Sequence, residues 1–440
     1  MAVIKPFRGM RYDPARVGEL SRVISQPYDR VEYGLQEKYY AQSDYTIVKV
    51  IKGKEFAGDS DTNNVYTRAR DYLRTWLGEG VLFRDEKPAL YVLHQTFPLP
   101  DGQRYTRKAL ITALELTTFD QGVVLPHERT LSGPKVDRLN MTRITQTYCE
   151  SVFMLYPDRE NRVNAILDQA VQKLQPAVMR ELYENAVEQR FWVVSDPETL
   201  AAVQAEMAPK RNLIIADGHH RYETAINYRD EMRLQYPDLP PNAGFNYCGV
   251  ALVSMSDPGL VILPTHRLIH SYTAKTSKQV LEDAAAYFHM QPVSDRAALD
   301  AALADAMDQA PRIGFYDGGY TVLTLKGPEV MASIAPDRDP TWRMLDVTVL
   351  HELLIEHVMG LSKESIERKE NIDYLRNVEM GYERVDQGEA DFMFVMNPTR
   401  MAEVQACTNA GVKMPQKSTD FYPKIVSGLA ALPLGPDERL

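Results

Sequence analysis

Over the first 60 residues apolar and polar positions follow no steady period. Turn signals at Tyr12-Asp13-Pro14, Gln26-Pro27-Tyr28-Asp29 and 58–61 interrupt them, which predicts an irregular start. From 63 to 77 the apolar positions Val65, Ala69, Tyr72, Leu73, Trp76 and Leu77 recur at helical spacing until Gly78 and Gly80. Two apolar and aromatic runs, 89–97 and 105–116, predict a hairpin turning at Asp101-Gly102. The charged tract 160–190 predicts helix interrupted at Pro176. Residues 191–194 read as a short strand. Ser195-Asp196-Pro197-Glu198 then reads as a capping box, with proline at the first helical position of a helix reaching about Met207. Leu213 to Ala216 is a buried-strand run, Asp217-Gly218 a turn, and a helix opens near His219.

Residues 246–255 and 260–263 predict a second hairpin, and 313–316 with 320–326 a third. Helical patterns cover about 277–289 and 297–309. Residues 345–360 form an amphipathic helix closed by Gly360, and 391–396 a buried strand. Asn397-Pro398 caps a last helix that Gly411 ends, and 414–429 reads as a polar, aromatic loop. Hairpins argue against a purely parallel sheet, and helix-flanked strands against an all-β fold. The expected class is α+β, with mixed and antiparallel sheets and flanking helices. The expected organisation is an N-terminal α/β part (1–120), a central part (121–272) and a C-terminal α/β part (273–440). The tail, 414–429, is expected to return to the central site. Residues 123–129 and 261–267 share V-[VI]-L-P, a histidine and an arginine. A duplication would produce that echo, and so does chance.

Of the 440 residues, 44% are hydrophobic and 25% charged, enough apolar material for a sizeable core. Fifty basic against 60 acidic side chains leave a net charge of -10, which opposes binding to a polyphosphate backbone. No nucleic-acid partner is expected. No apolar run reaches the ~18 residues of a spanning helix, and the start lacks the pattern of a secretory signal, so a cytoplasmic protein with no membrane partner is expected. Cys149, Cys248 and Cys407 lie far apart, with no CxxC pair for zinc. The sequence does not define an oligomeric state.

Four segments carry candidate chemistry. In IIADGHHRYETA (214–225) a strand ends in Asp217-Gly218 and a helix opens with His219, His220 and Arg221. Backbone N–H groups at a helix N-terminus favour anions, arginine binds phosphate bidentately, and histidine adds a donor or a proton carrier. This turn reads as a phosphate cradle, with Asp217 as Mg²⁺ ligand or base. The bland alternative is a helix capped by Asp217. LPHERTLSGPKVDR (125–138) gathers His127, Glu128, Arg129, Lys135 and Arg138, with Glu128 as candidate base and Arg129, Lys135 and Arg138 as candidate phosphate cations. A solvated charged loop is its alternative. QPYD presents Tyr28 and Asp29, LPTHR (263–267) presents His266, and MPQKST (414–419) presents Lys417, Ser418 and Thr419. These six, with His127, are candidate substrate contacts. The KST triplet lacks the GxxxxGK of a P-loop, and a spacing of six excludes a zincin pair at His351 and His357.

Taken in order, IKPFRGMRYDP, QPYD, VVLPHERTLSGPK, IIADGHHRYETA, DPGLVILPTHR, MPQKST and FYPK resemble a bacterial and archaeal family, domain of unknown function family 1015, over about residues 1–429. More distantly, DGHHR is similar to the motif of free serine kinases of the ParB/sulfiredoxin superfamily, whose strand-to-helix turn binds nucleotide phosphates. That resemblance implies a ParB/sulfiredoxin-like core with large insertions. It implies phosphate or metal binding by Asp217, Gly218, His219, His220 and Arg221, with Asp217 and His220 catalytic. It also implies an earlier carboxylate that activates a hydroxyl: Glu128, with Asp29 behind it. His219, not a cysteine, stands directly before His220, so sulfinic-acid repair is not implied. The expected function is a small-molecule phosphotransferase using ATP or ADP with Mg²⁺ on free serine or a similar hydroxyl metabolite. The alternatives are a metal-dependent phosphohydrolase, in which Asp217, His219, His220, His127 and His266 converge, and a non-enzymatic ParB-like nucleotide-binding regulator.

Overall fold

The computed structural model describes residues 1–99, 102–128, 133–183, 187–305, 310–415 and 417–440. Contacts divide the chain into two compact units. The first comprises 1–126, 130–261 and 423–440; the second comprises 127–129 and 262–422.

The first unit is built on a mixed sheet with nine strands among the described residues. In chain order they are β1 (Ile4–Lys5), β2 (Leu90–Pro98), β3 (Arg104–Glu115), β4 (Val124–Pro126), β5 (Val152–Tyr156), β6 (Ala177–Arg180), β7 (Glu188–Val194), β8 (Leu213–Asp217) and β9 (Tyr247–Ser254). They lie in the order β4-β8-β5-β9-β3-β2-β7-β6, with β1 on β3. The predicted hairpin is β2 and β3, antiparallel from Tyr91↔Ile111 to Pro98↔Arg104. Pairing is parallel for β8 with β4 and for β9 with β5, so the sheet is mixed. Helices α1 (Val65–Gly78), α2 (Gly133–Thr145), α3 (Arg162–Val171), α4 (Pro197–Met207) and α5 (His219–Gln235) flank it. Leu90, Leu114, Val152, Met154, Leu213, Ile215, Val250 and Leu252 bury one face together with Val163 and Leu167 of α3 and Tyr222 of α5. Each such fully buried aliphatic side chain contributes about 2 kcal/mol.

The second unit holds a six-stranded antiparallel sheet. Its strands are β10 (His266–Ile269), β11 (Phe288–Val293), β12 (Arg312–Tyr316), β13 (Tyr320–Leu325), β14 (Ile372–Leu375) and β15 (Phe392–Val395), in the order β11-β13-β12-β15-β10-β14. The predicted hairpin is β12 and β13, turning at Gly318 with φ 96°. Val349, Leu350, Leu353 and Leu354 pack against Phe315, Phe392 and Phe394. The α+β class is therefore observed. Among the described residues no helix is long and apolar enough to cross a membrane.

Several elements differ from the sequence pattern. Tract 160–190 yields one helix, α3, and then strands β6 and β7, which pair from Glu188↔Arg180 to Phe191↔Ala177. The first cap of α4 is Asp196, which accepts from Thr199 N, rather than Ser195. β9 forms no hairpin with 261–263; it is inserted between β5 and β3. The helix expected to 289 stops at Ala284, and Phe288–Val293 pairs with β13 as a strand. The helix expected from 345 to 360 is π-helical over Val349–Val358 and buried on most sides. The last helix, Met401–Asn409, starts after Arg400 rather than at Asn397-Pro398, and the Arg400 backbone N–H donates to Glu403 Oε2 at 2.7 Å. The tail is no polar loop: Phe421, Tyr422, Lys424, Ile425 and Val426 are buried. The irregular start contains a helix at Tyr33–Gln42. Asp101 of the first predicted turn lies outside the described residues.

Candidate functional site

β8 carries the hydrophobic run Leu213–Ala216 into the core and ends on Asp217. Gly218 follows with φ 93°, in the left-handed region that a side chain strains. A Cβ there would lie 2.8 Å from Arg221 Nε. The missing side chain lets Arg221 fold back over the turn and leaves the cap position of α5 without a capping group. Arg221 Nη1 donates to Ser151 O at 2.7 Å, and Nη2 donates to the Asp217 carboxylate. Its buried Nε has no hydrogen-bond partner among the described residues. On the other side Lys424 Nζ is 3.2 Å from Asp217 Oδ1. Burial by itself would raise the Asp217 carboxyl, but Lys424 and Arg221 outweigh it and hold the group well below the usual carboxylate range. The Arg221 guanidinium is held above its ordinary value, because Asp217, Glu150 and Asp29 overcome its desolvation.

His220 stands one residue into α5, half-buried. Burial lowers its pKa; Glu223 and Asp29 oppose that, and Lys135 reinforces it, so the net direction is down and the imidazole is neutral at pH 7. His219 is buried. Lys135, on α2, pairs with Glu223 on α5. The 125–138 and 214–225 motifs thus meet through the first turn of α2 and the second turn of α5.

The QPYD motif joins the same unit. After Pro27 the chain makes a single 3-10 turn, Tyr28–Arg30. The Tyr28 ring lies under Arg138, with the guanidinium carbon 4.0 Å from the ring centroid. Asp29 is exposed, and its charge acts on His220, Arg221 and Glu150. A cleft of about 810 Å³ opens beside this turn, lined by Tyr28, Asp29, Lys52, Phe56, Asp137 and Arg138 among others. A cavity of about 40 Å³ lies between Arg138, Glu150 and Arg221.

Glu150 is a hub that the sequence did not mark. Its Oε1 accepts from Tyr28 N at 2.9 Å and from Ser427 Oγ at 3.2 Å, and its Oε2 is 3.5 Å from Arg138 Nη1. Burial raises its carboxyl, against the opposing charges of Arg221 and Arg138. A lone glutamate in TYCES matches no motif; its place beside Arg221 follows from the β8–β5 pairing.

The remaining candidates belong to the second unit. His127 is fully buried, with Nε2 2.8 Å from Thr419 Oγ1. Glu128 Oε1 lies 3.3 Å from that hydroxyl, 3.4 Å from Thr419 N and 3.6 Å from His127 Nε2. His266 Nδ1 accepts from Met396 N at 3.1 Å, and burial, aided by Arg267, lowers its pKa to about 4. Ser418 Oγ donates to Pro415 O at 2.6 Å, and Lys417 offers its carbonyl to Arg267 Nη2 at 3.0 Å. Arg129 lies outside the described residues. Tyr28, Asp29, Lys135, Arg138, Asp217, Gly218, His219, His220 and Arg221 therefore share the first unit, while His127, Glu128, His266, Lys417, Ser418 and Thr419 share the second.

Among the described residues no group of three or more His, Cys, Asp and Glu could hold a metal ion. Asp217, the expected Mg²⁺ ligand, has Oδ1 engaged by Lys424 and Oδ2 by Arg221. A carboxylate neutralised by two cations does not fit as an open metal donor.

A family model described as "Protein of unknown function (DUF1015)" matches residues 4–348. No protein with a curated description matches the chain. Among solved structures, a conserved hypothetical protein from Pyrococcus furiosus is similar at 12% identity and a TM-score of 0.34, over 72% of this chain and 92% of that one. A mutant free serine kinase in complex with ADP is similar at 9% identity and a TM-score of 0.37, over 76% and 94%. A free serine kinase in complex with AMP is similar at 11% identity and a TM-score of 0.36, over 76% and 93%.

Proposed function

Since this chain belongs to the DUF1015 family, whose description names no activity, we propose from the residues of its first unit that it is a phosphotransferase taking a phosphoryl group from ATP or ADP to a small hydroxyl substrate. The observation that carries this reading is the junction of two motifs: the exposed Asp29 carboxylate acts on His220 and Arg221 at the start of α5. An open helix N-terminus attracts phosphate oxygens. Lys135 and Arg221 add positive charge where it builds on the transferring group, and neutral His220 supplies a hydrogen-bond donor. Asp29 takes the proton of the acceptor hydroxyl, a role that needs only a positioned carboxylate. Asp29, whose charge reaches His220 and Arg221, is assigned that role ahead of Glu128. The resemblance of DGHHR to free serine kinases supports ATP or ADP as donor and serine as the first acceptor to try. The cleft beside Asp29 gives the acceptor or the nucleoside a place. Asp217 acts indirectly: it fixes Arg221 and Lys424 and neither binds metal nor moves a proton.

The test is nucleotide consumption by the purified protein with ATP and with ADP, Mg²⁺ present, against a panel of amino acids and other small alcohols. Acceptor-dependent turnover is expected. It should drop about 10²- to 10⁴-fold in Asp29→Asn, the range of a lost general base. Absence of turnover with every acceptor, or full activity in Asp29→Asn, contradicts the assignment.

A further inference from the structure

The second unit contains a hydroxyl in the setting of an activated nucleophile. Thr419 Oγ1 lies 2.8 Å from Nε2 of the fully buried His127 and 3.3 Å from Glu128 Oε1. An alcohol held against an imidazole, with a carboxylate within reach of both, is the arrangement that turns a weak nucleophile into a strong one. Thr419 itself is half-buried, whereas neighbouring Ser418 is buried and spends its hydroxyl on Pro415 O.

A second observation comes from Arg267. It is 2% exposed, and its donors go to the carbonyls of Thr265 and Lys417 and to His351 Nε2. None of these partners is an anion. Burial pushes the guanidinium down to about 10, with Tyr374 and Glu128 partly restoring it. Among the described residues Arg267 touches no carboxylate, and a buried cation in that state favours new negative charge nearby. Lys417, whose carbonyl it holds, is two residues from Thr419, and Glu128, whose charge it feels, touches Thr419.

We propose that Thr419 is a phosphoryl acceptor, modified by the protein itself from a nucleoside triphosphate or a small acyl phosphate. Thr419 Oγ1 forms a bond to the terminal phosphorus, and the bond from that phosphorus to its bridging oxygen breaks. The electron pair leaves on the nucleoside diphosphate, or on the carboxylate of the acyl donor, and the hydroxyl proton passes to His127 Nε2. The positive charge of Arg267 offsets the charge gained. The inference rests on the proposed phosphotransferase reading only for its donor.

The experiment incubates the full chain with ATP, and separately with acetyl phosphate, and maps phosphate by peptide mass spectrometry. Nucleotide binding is measured in parallel by calorimetry. The expected result is one phosphate on Thr419, retained in Thr419→Ser, absent in Thr419→Val, unchanged in Ser418→Ala, and slowed at least 10-fold in His127→Gln. Mapping on the unaltered protein keeps the test valid if a variant fails to fold. ATP binding without phosphate at 419 overturns this inference and leaves the phosphotransferase reading standing. Labelling by acetyl phosphate with no ATP binding does the reverse. No phosphate at 419 from either donor, or phosphate only at other residues, overturns it outright.

Discussion

At Asp217 two opposing effects decide the local chemistry. Burial opposes ionisation, while Lys424 and Arg221 favour it and win. The folded-state pKa lies below the unfolded value of about 3.9, so this carboxylate stabilises the fold above that pH and the contribution is lost as pH falls from there toward the folded pKa. Lys424→Met leaves a half-buried charge with one partner fewer. Urea denaturation is expected to show a loss of about 3 kcal/mol at pH 7 and a shallower fall in stability below pH 4. His220 has the same sign: its folded pKa is depressed, so stability is present above about 6.5 and declines as pH drops below it. His220→Gln should flatten the melting temperature between pH 5 and 6.5; an unchanged slope would assign that limb to other groups. The sequence marked Asp217, His220 and Arg221 because adjacent histidines at a strand-to-helix turn are chemically conspicuous. It could not mark Glu150, a single acidic residue whose partners lie more than 120 positions away in Tyr28 and Ser427.

Among the elements, the turn between β8 and α5 has the most at stake. Gly218→Ala places a side chain in a left-handed conformation and drives a Cβ against Arg221. The expected cost is about 1–2 kcal/mol in chemical denaturation, with a larger loss of nucleotide affinity than any helix-cap change far from the site. Asn64→Ala is the matching control: it breaks the capping box at α1, costs about 1 kcal/mol, and should leave nucleotide affinity unaltered. Where local chemistry dominates, the elements were legible. The apolar spacing from Val65 to Leu77 marks α1, Pro197 at the first helical position marks α4, and the two short runs either side of 317–319 mark the β12–β13 hairpin. Where pairing dominates, they were not. β6 and β11 are short, polar-edged segments that become strands because β7 and β13 offer backbone partners. The π geometry at Val349–Val358 leaves no trace in an apolar run that any buried helix could carry.

At the scale of the whole molecule, the chain enters its second unit briefly at 127–129, leaves the first again after 261 and returns at 423. A linear reading cannot see that path, because it is set by contacts between residues far apart in the chain. It is the reason one motif, 125–138, supplies residues to both units, and why the tail divides between Thr419 in one and Lys424 in the other. A ligand bound by the folded first unit alone should stabilise it, by about 2.7 kcal/mol at 100 times its dissociation constant. The central claim is that the start of α5, with Arg221, Lys135 and His220, holds nucleotide phosphates. Its most direct test is calorimetric titration of a non-hydrolysable ATP analogue and of ADP into the unaltered protein, Arg221→Lys and Lys135→Met. Saturable binding of one nucleotide, weakened at least 10-fold in both variants while their circular dichroism is preserved, is the predicted result. No binding to the unaltered protein, or equal binding by all three, contradicts the claim.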